Sequence, residues 1–269
     1  MSFKRWTIAR RCVQLLMLAL LASPLVGLTI FSGNLAAAEL LGLPLADPLA
    51  ALQAMIGGQV FVLSYLLSTL LITGFYFVLG GRSFCAWICP VGLLTELGDK
   101  LRSRLGISTR TLPLRVNRWI LALVLLVVAI TGIPLFELVS PIGIIGRAIV
   151  FGSLLPLLLI GAILLLELLV ARRVWCRSLC PLGGLYSLLG AISPVRIRFI
   201  PAQCTHCNEC RAVCPVEEVL SPVLDAGNTQ VKTGDCSRCM ACIDICPTKA
   251  LTLSVGYRSL STDPPKGGR

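Results

Sequence analysis

The sequence predicts a mainly α membrane protein, a four-transmembrane-helix bundle of two parallel hairpin repeats, with a small cytoplasmic α+β domain at its C-terminus. Three observations carry this. Of 269 residues, 56% are hydrophobic and only 14% charged, against roughly 25% charged in soluble domains. An aromatic-C-x3-C-P segment occurs twice, 91 positions apart. Thirteen cysteines are present, and eight of them crowd into the stretch after residue 200. Length, apolar content and cysteine placement together exclude disorder, collagen-like repeats and a small disulfide-stapled secreted domain.

Four apolar stretches, 13–31, 60–79, 119–136 and 148–170, approach the ~20 residues of helix that a bilayer core requires. The third is the shortest, and the fourth contains Pro156 and Glu167. Buried helices of a large soluble core are the alternative, and all four stretches exceed what such a core needs. Basic residues orient the bundle, because lysine and arginine in short loops resist translocation. Lys4, Arg5, Arg10 and Arg11 precede the first span, seven basic residues from Arg82 to Arg118 separate the second from the third, and Arg172, Arg173 and Arg177 follow the fourth. Nine more lie in the C-terminal region, and only Arg147 falls on the other side. Both termini are therefore expected in the cytoplasm, so the net charge of +11 reads as topology and not as a nucleic-acid footprint. Trp6, Trp87, Trp119 and Trp175 flank span ends on the same inner side, as aromatic belts do. A cleaved signal peptide is a rival reading of Arg10-Arg11, the apolar run and Ala36-Ala37-Ala38, but the run is longer than a usual h-region.

The repeat aligns Phe84-Cys85-Ala86-Trp87-Ile88-Cys89-Pro90 with Trp175-Cys176-Arg177-Ser178-Leu179-Cys180-Pro181. Each copy follows a span returning to the cytoplasm, which implies two hairpins related by an axis along the membrane normal. Cysteines four apart share a helix face, and the proline leaves the carbonyl of Ala86 or Arg177 without its usual helical partner. Cys85, Cys89, Cys176 and Cys180 suit a thiol redox pair, a metal or extra cluster site built from both repeats, or an electron-transfer contact. Packing explains one cysteine well and four at repeated spacing poorly. After Pro90, Leu93, Leu94, Leu97, Leu101 and Leu105 alternate with charged residues at helical spacing, as in an amphipathic helix on the inner surface.

Beyond about Pro194 the composition shifts. Cys204-x2-Cys207-x2-Cys210-x3-Cys214-Pro215 and Cys236-x2-Cys239-x2-Cys242-x3-Cys246-Pro247 are identical strings. They match the bacterial two-cluster ferredoxin signature, in which the fourth cysteine of each run ligates the other cluster. The expected ligand sets, through iron, are Cys204, Cys207, Cys210 and Cys246 for one [4Fe-4S] cluster, and Cys236, Cys239, Cys242 and Cys214 for the other. Zinc competes, since C-x2-C pairs also build tetrahedral sites, but zinc rarely needs this doubled spacing. The prolines are expected to open short helices over 216–220 and 248–251. His206 reads as a surface residue or a neighbour of the ligands, and Cys12 as packing. The domains are then 1–195 (membrane, with the C-x3-C-P motifs at 85–90 and 176–181), 196–258 (a bacterial-type 2[4Fe-4S] ferredoxin-like α+β domain) and 259–269 (a flexible tail).

Four spans, paired C-x3-C-P motifs and a double-cluster tail together resemble the NapH family, the membrane ferredoxin-type (quinol dehydrogenase) subunits of periplasmic nitrate reductase systems. The resemblance covers nearly the whole chain. Pro44-Leu45-Ala46-Asp47-Pro48-Leu49 with Leu52-Gln53, and Ser140-Pro141-Ile142-Gly143 leading to Gly146-Arg147, look like that family more than like its wider relatives in nitrous-oxide reduction, methylamine utilisation and oxidase assembly. It implies an electron-transfer subunit in the bacterial inner membrane, working with the quinol pool, a periplasmic ferredoxin-type subunit and a membrane multihaem cytochrome. The chain has no C-x-x-C-H, so any haem belongs to a partner. Intramembrane carboxylates are functional suspects, which makes Glu137 and Glu167, with Arg147, the quinol-site candidates. No separate catalytic residue is expected. The competing class is an accessory protein for maturation or redox sensing of a periplasmic reductase or oxidase.

Overall fold

The computed structural model describes residues 5–23, 31–33, 37–40, 43–58, 63–107, 111–141, 143–144 and 155–256. Most of them are helical. In chain order come α1 (Arg5–Ala22), β1 (Phe31–Gly33), β2 (Ala37–Leu40), β3 (Leu43–Ala46), α2 (Pro48–Ile56), α3 (Leu63–Leu79), α4 (Ser83–Trp87), α5 (Pro90–Arg104), α6 (Val116–Thr131), α7 (Leu135–Val139), α8 (Leu155–Leu169), a π-helical turn (Trp175–Leu179) and α9 (Pro181–Ala191). Proline opens α2, α5 and α9 at the first turn, where its missing N–H costs no helical bond. The Asp47 carboxylate caps α2 by accepting from the Leu49 N–H at 3.3 Å.

Among the described residues no helix is long and apolar enough to cross a membrane. The expected spans 13–31, 60–79 and 148–170 each run into residues outside the description, and the candidate Arg147 lies there too. Within the third expected span, about 119–136, α6 runs as far as Thr131, where Gly132 takes the left-handed conformation at φ 69°, which ends helices at little cost for glycine. Position 31, expected at the end of the first span, belongs to a three-stranded antiparallel sheet β1-β2-β3. The helices nevertheless expose apolar side chains in quantity, including Leu70 and Leu71 of α3, Leu126 and Ile130 of α6, and Leu158 and Leu169 of α8. Helix α5 turns Leu97 and Leu101 outward and buries Thr95, Gly98 and Arg102.

The tail begins with β4 (Val195–Phe199), which pairs antiparallel with the last strand β5 (Leu251–Val255), Ile197 opposite Leu253. Between them lie α10 (Glu209–Val213), α11 (Ser221–Leu224) and α12 (Ala241–Ile245), with single-turn 3-10 segments at Pro201–Gln203 and Glu217–Val219. The helix expected over 216–220 is thus a 3-10 turn followed by α11. The helix expected after Pro247 is absent: Lys249 sits at φ 54° and turns the chain directly into β5. Ile197, Phe199, Leu220, Val223, Val231 and Leu251 form the core of this unit, with Cys214 and Cys242 among them. A second core, around Tyr76, Phe84, Leu121, Leu182 and Tyr186, fills the helical region and takes in the four motif cysteines.

Candidate iron-sulfur centres and their junction

The two ligand loops of the tail are wound alike. Residues two and four places after the first cysteine, His206 and Asn208 in one loop and Arg238 and Met240 in the other, all have φ between 47° and 60°. Side chains other than glycine seldom adopt this left-handed region, and when they do it is commonly at functional sites. Cys204, Cys207, Cys210 and Cys246 line one cavity with about 490 Å³ of empty space. Cys214, Cys236, Cys239 and Cys242 line another of about 340 Å³, closed by Ile197, Val219, Leu220 and Met240. Each cavity takes three cysteines from one string and one from the other, a donor set that fits a cubane of four irons, each needing one thiolate. The His206 N–H points at Cys204 Sγ at 3.4 Å, the kind of bond that tunes cluster potential. His206 is itself exposed. Among the described residues no group of three or more His, Cys, Asp or Glu closes around a single metal ion, whereas a cubane takes one thiolate at each of four irons.

The two cavities differ in setting. Cys207 is exposed, whereas Cys214, Cys239 and Cys242 are buried. Burial of the second loop comes from docking on the helical region, through contacts that sequence reasoning missed. Arg238, between Cys236 and Cys239, is 2% exposed and donates to the carbonyls of Val195 at 3.0 Å, Gly190 at 2.8 Å and Gly80. Trp87, inside the first motif, donates from Nε1 to the Arg238 carbonyl at 3.0 Å and meets Trp6 edge-on at 6.2 Å. Arg82 reaches the Asp235 carboxylate at 3.2 Å and also donates to the Cys176 carbonyl. Asp235 accepts further from Arg118 at 3.2 Å and Ser187 Oγ at 2.8 Å. Gly234 allows this approach, since a Cβ there would lie 1.8 Å from the Ser187 carbonyl oxygen. Arg177, beside Cys176, pairs with Glu218 of the tail, and the α12 residue Asp244 accepts from the Trp6 and Thr7 N–H groups and from Thr7 Oγ1 at the start of α1.

The C-x3-C-P motifs converge. Cys85, Cys89, Cys176 and Cys180 line a single tight cavity with Phe84, Val91, Phe136, Pro141, Trp175 and Leu182. The carbonyls released by the prolines are taken up by buried amides: Gln14 Nε2 donates to Ala86 at 2.8 Å, and Asn117 Nδ2 to Arg177 at 3.5 Å. Gly183 N–H points at Cys180 Sγ at 3.4 Å, and the Thr95 hydroxyl lies 3.7 Å from Cys176 Sγ. Burial pushes all four thiols up, Cys180 to about 12; neighbouring thiols of the set add to the rise at Cys89, Cys176 and Cys180, whereas Arg82 opposes it at Cys85. Free thiols so raised are poor nucleophiles. A second cavity touches Cys85 and Cys176 on one side and Cys239 of the tail on the other, and is lined by Arg10, Arg82, Arg173 and Arg177. All of the cysteines are free. Cys12, expected as packing, is exposed on α1.

The quinol candidates have separate neighbourhoods. Glu167 is 2% exposed and accepts from the Trp175 N–H at 3.0 Å, while the Arg102 guanidinium donates to its backbone carbonyl at 2.9 Å. Glu137 begins α7 beside Asp47. Burial first, and the Glu137 charge second, push Asp47 up to about 7. Asp47 was not among the candidate carboxylates, because nothing local in the sequence couples it to a residue ninety positions later.

Two family profiles match the chain. One, described as a 4Fe-4S binding domain, matches twice, over 61–108 and 152–199, at the repeat spacing; the other, a 4Fe-4S dicluster domain, covers 196–247. Among curated relatives, the methylamine utilization ferredoxin-type protein MauN of Methylorubrum extorquens is 40% identical over 96% of this chain and 91% of its own. The ferredoxin-type protein NapH of Escherichia coli is 34% identical over 95% and 91%, and that of Haemophilus influenzae 36% over 94% and 91%. The chain belongs to the NapH/MauN family of ferredoxin-type proteins. No solved structure matches it. As a NapH/MauN protein it carries 4Fe-4S domains in both halves and fits an electron-transfer subunit.

Proposed function

We propose that this chain is the membrane iron-sulfur subunit of a quinol dehydrogenase that passes electrons from menaquinol or ubiquinol toward a periplasmic nitrate reductase. In this reading it is a multi-pass protein of the bacterial inner membrane with both termini cytoplasmic. It works with a periplasmic ferredoxin-type subunit and a membrane multihaem cytochrome. The exposed apolar faces of α3, α6 and α8 support a lipid setting, because soluble proteins rarely show contiguous apolar surface on this scale. Cys204, Cys207, Cys210 and Cys246 hold one [4Fe-4S] cluster, and Cys214, Cys236, Cys239 and Cys242 the other. When bound, such clusters supply one-electron transfer at potentials set by hydrogen bonding and burial.

The observation that carries this reading is the unequal burial of the two sets. The second is sealed by Arg238, Arg82 and Trp87 against the inner end of the helices, and the first opens to water at Cys207. In this reading the buried set exchanges electrons with the helical region, and the other set stands open to the cytoplasm. The arginines around the second set oppose the negative charge of a thiolate-ligated cluster and exclude water from it.

The test is EPR of the purified complex, partner subunits present, during addition of a reduced quinol analogue. Reduced-cluster signals are expected; their absence overturns the quinol role and favours the accessory reading. The identity to MauN favours one further reading, service to a methylamine-utilising system. Deletion of the gene followed by growth on nitrate under anoxia and on methylamine separates the two, because only the served pathway fails.

A further inference from the structure

We propose that Cys85, Cys89, Cys176 and Cys180 together ligate one additional iron-sulfur cluster, a third site shared by the two repeats and set beside the buried ferredoxin set. The juxtaposition is the primary observation: two C-x3-C-P segments 91 residues apart place four thiols around one cavity and supply the four ligands a cubane needs. Its four-thiol lining matches that of the buried ferredoxin set. Like that set, it is closed by apolar side chains, here Phe84, Val91, Phe136 and Leu182.

Backbone geometry gives a second, independent support. The ferredoxin strings themselves end in C-x3-C-P, as Cys210-x3-Cys214-Pro215 and Cys242-x3-Cys246-Pro247. In all four motifs a five-residue helical segment, π-helical at Trp175–Leu179 and ending one residue early at Ser83–Trp87, comes before the second cysteine, which is extended, with φ from −64° to −77° and ψ from 112° to 125°. The helical region thus presents sulfur with the same local device as the tail. In the tail the two cysteines of a motif face different cavities; in the repeats all four face one. The Gly183 N–H at Cys180 and the Thr95 hydroxyl at Cys176 are donors of the type that stabilise thiolate ligands. On ligation the four thiols replace four terminal thiolates of a preformed cluster: four cysteine sulfur-iron bonds form, four carrier sulfur-iron bonds break, and the departing thiolates take up the four protons, with no change in the cluster's oxidation level. The Arg82, Arg173 and Arg177 side chains along the cavity toward Cys239 oppose the resulting negative charge. The match of each repeat to a 4Fe-4S binding domain agrees with this and does not say which side chains bind.

The site does not depend on the quinol reading, and its test needs no turnover. The full chain is purified anaerobically in detergent, reconstituted with ferric iron-57, sulfide and dithiothreitol as thiol ligand and reductant, and assayed for iron, acid-labile sulfide and zinc, with Mössbauer and EPR spectra. Replacing all four cysteines by serine is expected to remove one third of the iron and sulfide while the ferredoxin signals persist. Cys204→Ser with Cys207→Ser is expected to spare the third site. Should the fourfold variant fail to fold, Cys89→Ser alone is expected to shift about one twelfth of the Mössbauer area, one iron of the twelve in three four-iron clusters, because one iron site gains an oxygen ligand. Unchanged iron and spectra in the variants, or loss of zinc in place of iron, overturns the proposal.

Discussion

Replacing Arg82 by alanine is expected to undock the ferredoxin-like unit from the helices. Arg82 and Asp235 are 4% and 6% exposed at the side chain and 3.2 Å apart. Removing one member of a buried pair costs about 3–5 kcal/mol, chiefly because the other charge is left without compensation. The lower end applies, about 3 kcal/mol, because Arg118 still reaches Asp235 and Ser187 and Thr233 donate to it. At 1.4 kcal/mol per tenfold, the undocked population rises roughly 100-fold. Limited proteolysis in the connection near Ile192, which is 57% exposed, reads that population directly when opening is fast relative to cleavage. Asp235→Asn is expected to act in the same direction. The double variant Arg82→Ala/Asp235→Asn should cost less than the sum, by about 0.5–3 kcal/mol for residues in one network. Wild-type cleavage rates in Arg82→Ala, or strict additivity in the double variant, would refute the reasoning.

Gly234→Ala is expected to disrupt docking at least as strongly, because its Cβ meets the backbone of Ser187 and Ala191; the same proteolysis assay, and loss of the buried cluster's EPR signal before the exposed one, check it. Glu218 gives a pH dependence. Partial burial pushes it up, but the hydrogen bond and charge of Arg177 outweigh that and hold it below the ordinary glutamate value. Its contribution to docking is therefore present above about pH 4.3, the unfolded value, and is lost as pH falls through the lowered folded value. Glu218→Gln should flatten that acid limb in a proteolysis-versus-pH series. Asp244→Ala removes the acceptor for the start of α1, a loss of about 1 kcal/mol by comparison with helix caps, measurable as faster hydrogen exchange at Trp6 and Thr7. In metal-free protein at pH 8, Cys180 is expected to react with iodoacetamide far more slowly than exposed Cys12, since burial raises its thiol; mass spectrometry of labelled peptides decides this.

Features written at short, fixed spacing were legible in the sequence. The cysteine strings, the repeat and the carbonyls released by Pro90 and Pro181 follow from local chain geometry, and the structure supplies Gln14 and Asn117 to those carbonyls. The end of α6 was also written locally, in Gly132 followed by Pro134, but apolar continuity outweighed it. The junction was not legible. Arg82 and Asp235 are 153 positions apart, as Arg238 and Gly80 are 158 apart, and no periodicity links such residues. The arginines that the topology reading counted as an inner margin divide into two kinds: Arg82 and Arg238 are buried in docking, while Arg172 and Arg173 pair with Asp99 at 2.8 and 3.2 Å. The kinship among all four C-x3-C-P motifs was present in the sequence too, but it becomes informative only when the backbone shows the same turn in each.

The bonds from Trp6 and Thr7 to Asp244 span about 237 positions and close the chain into a ring. Whichever side of a boundary holds the first residues of α1 therefore holds the last ligand string as well. The latch also completes late in synthesis, because Asp244 leaves the ribosome only after α1 to α11 have emerged.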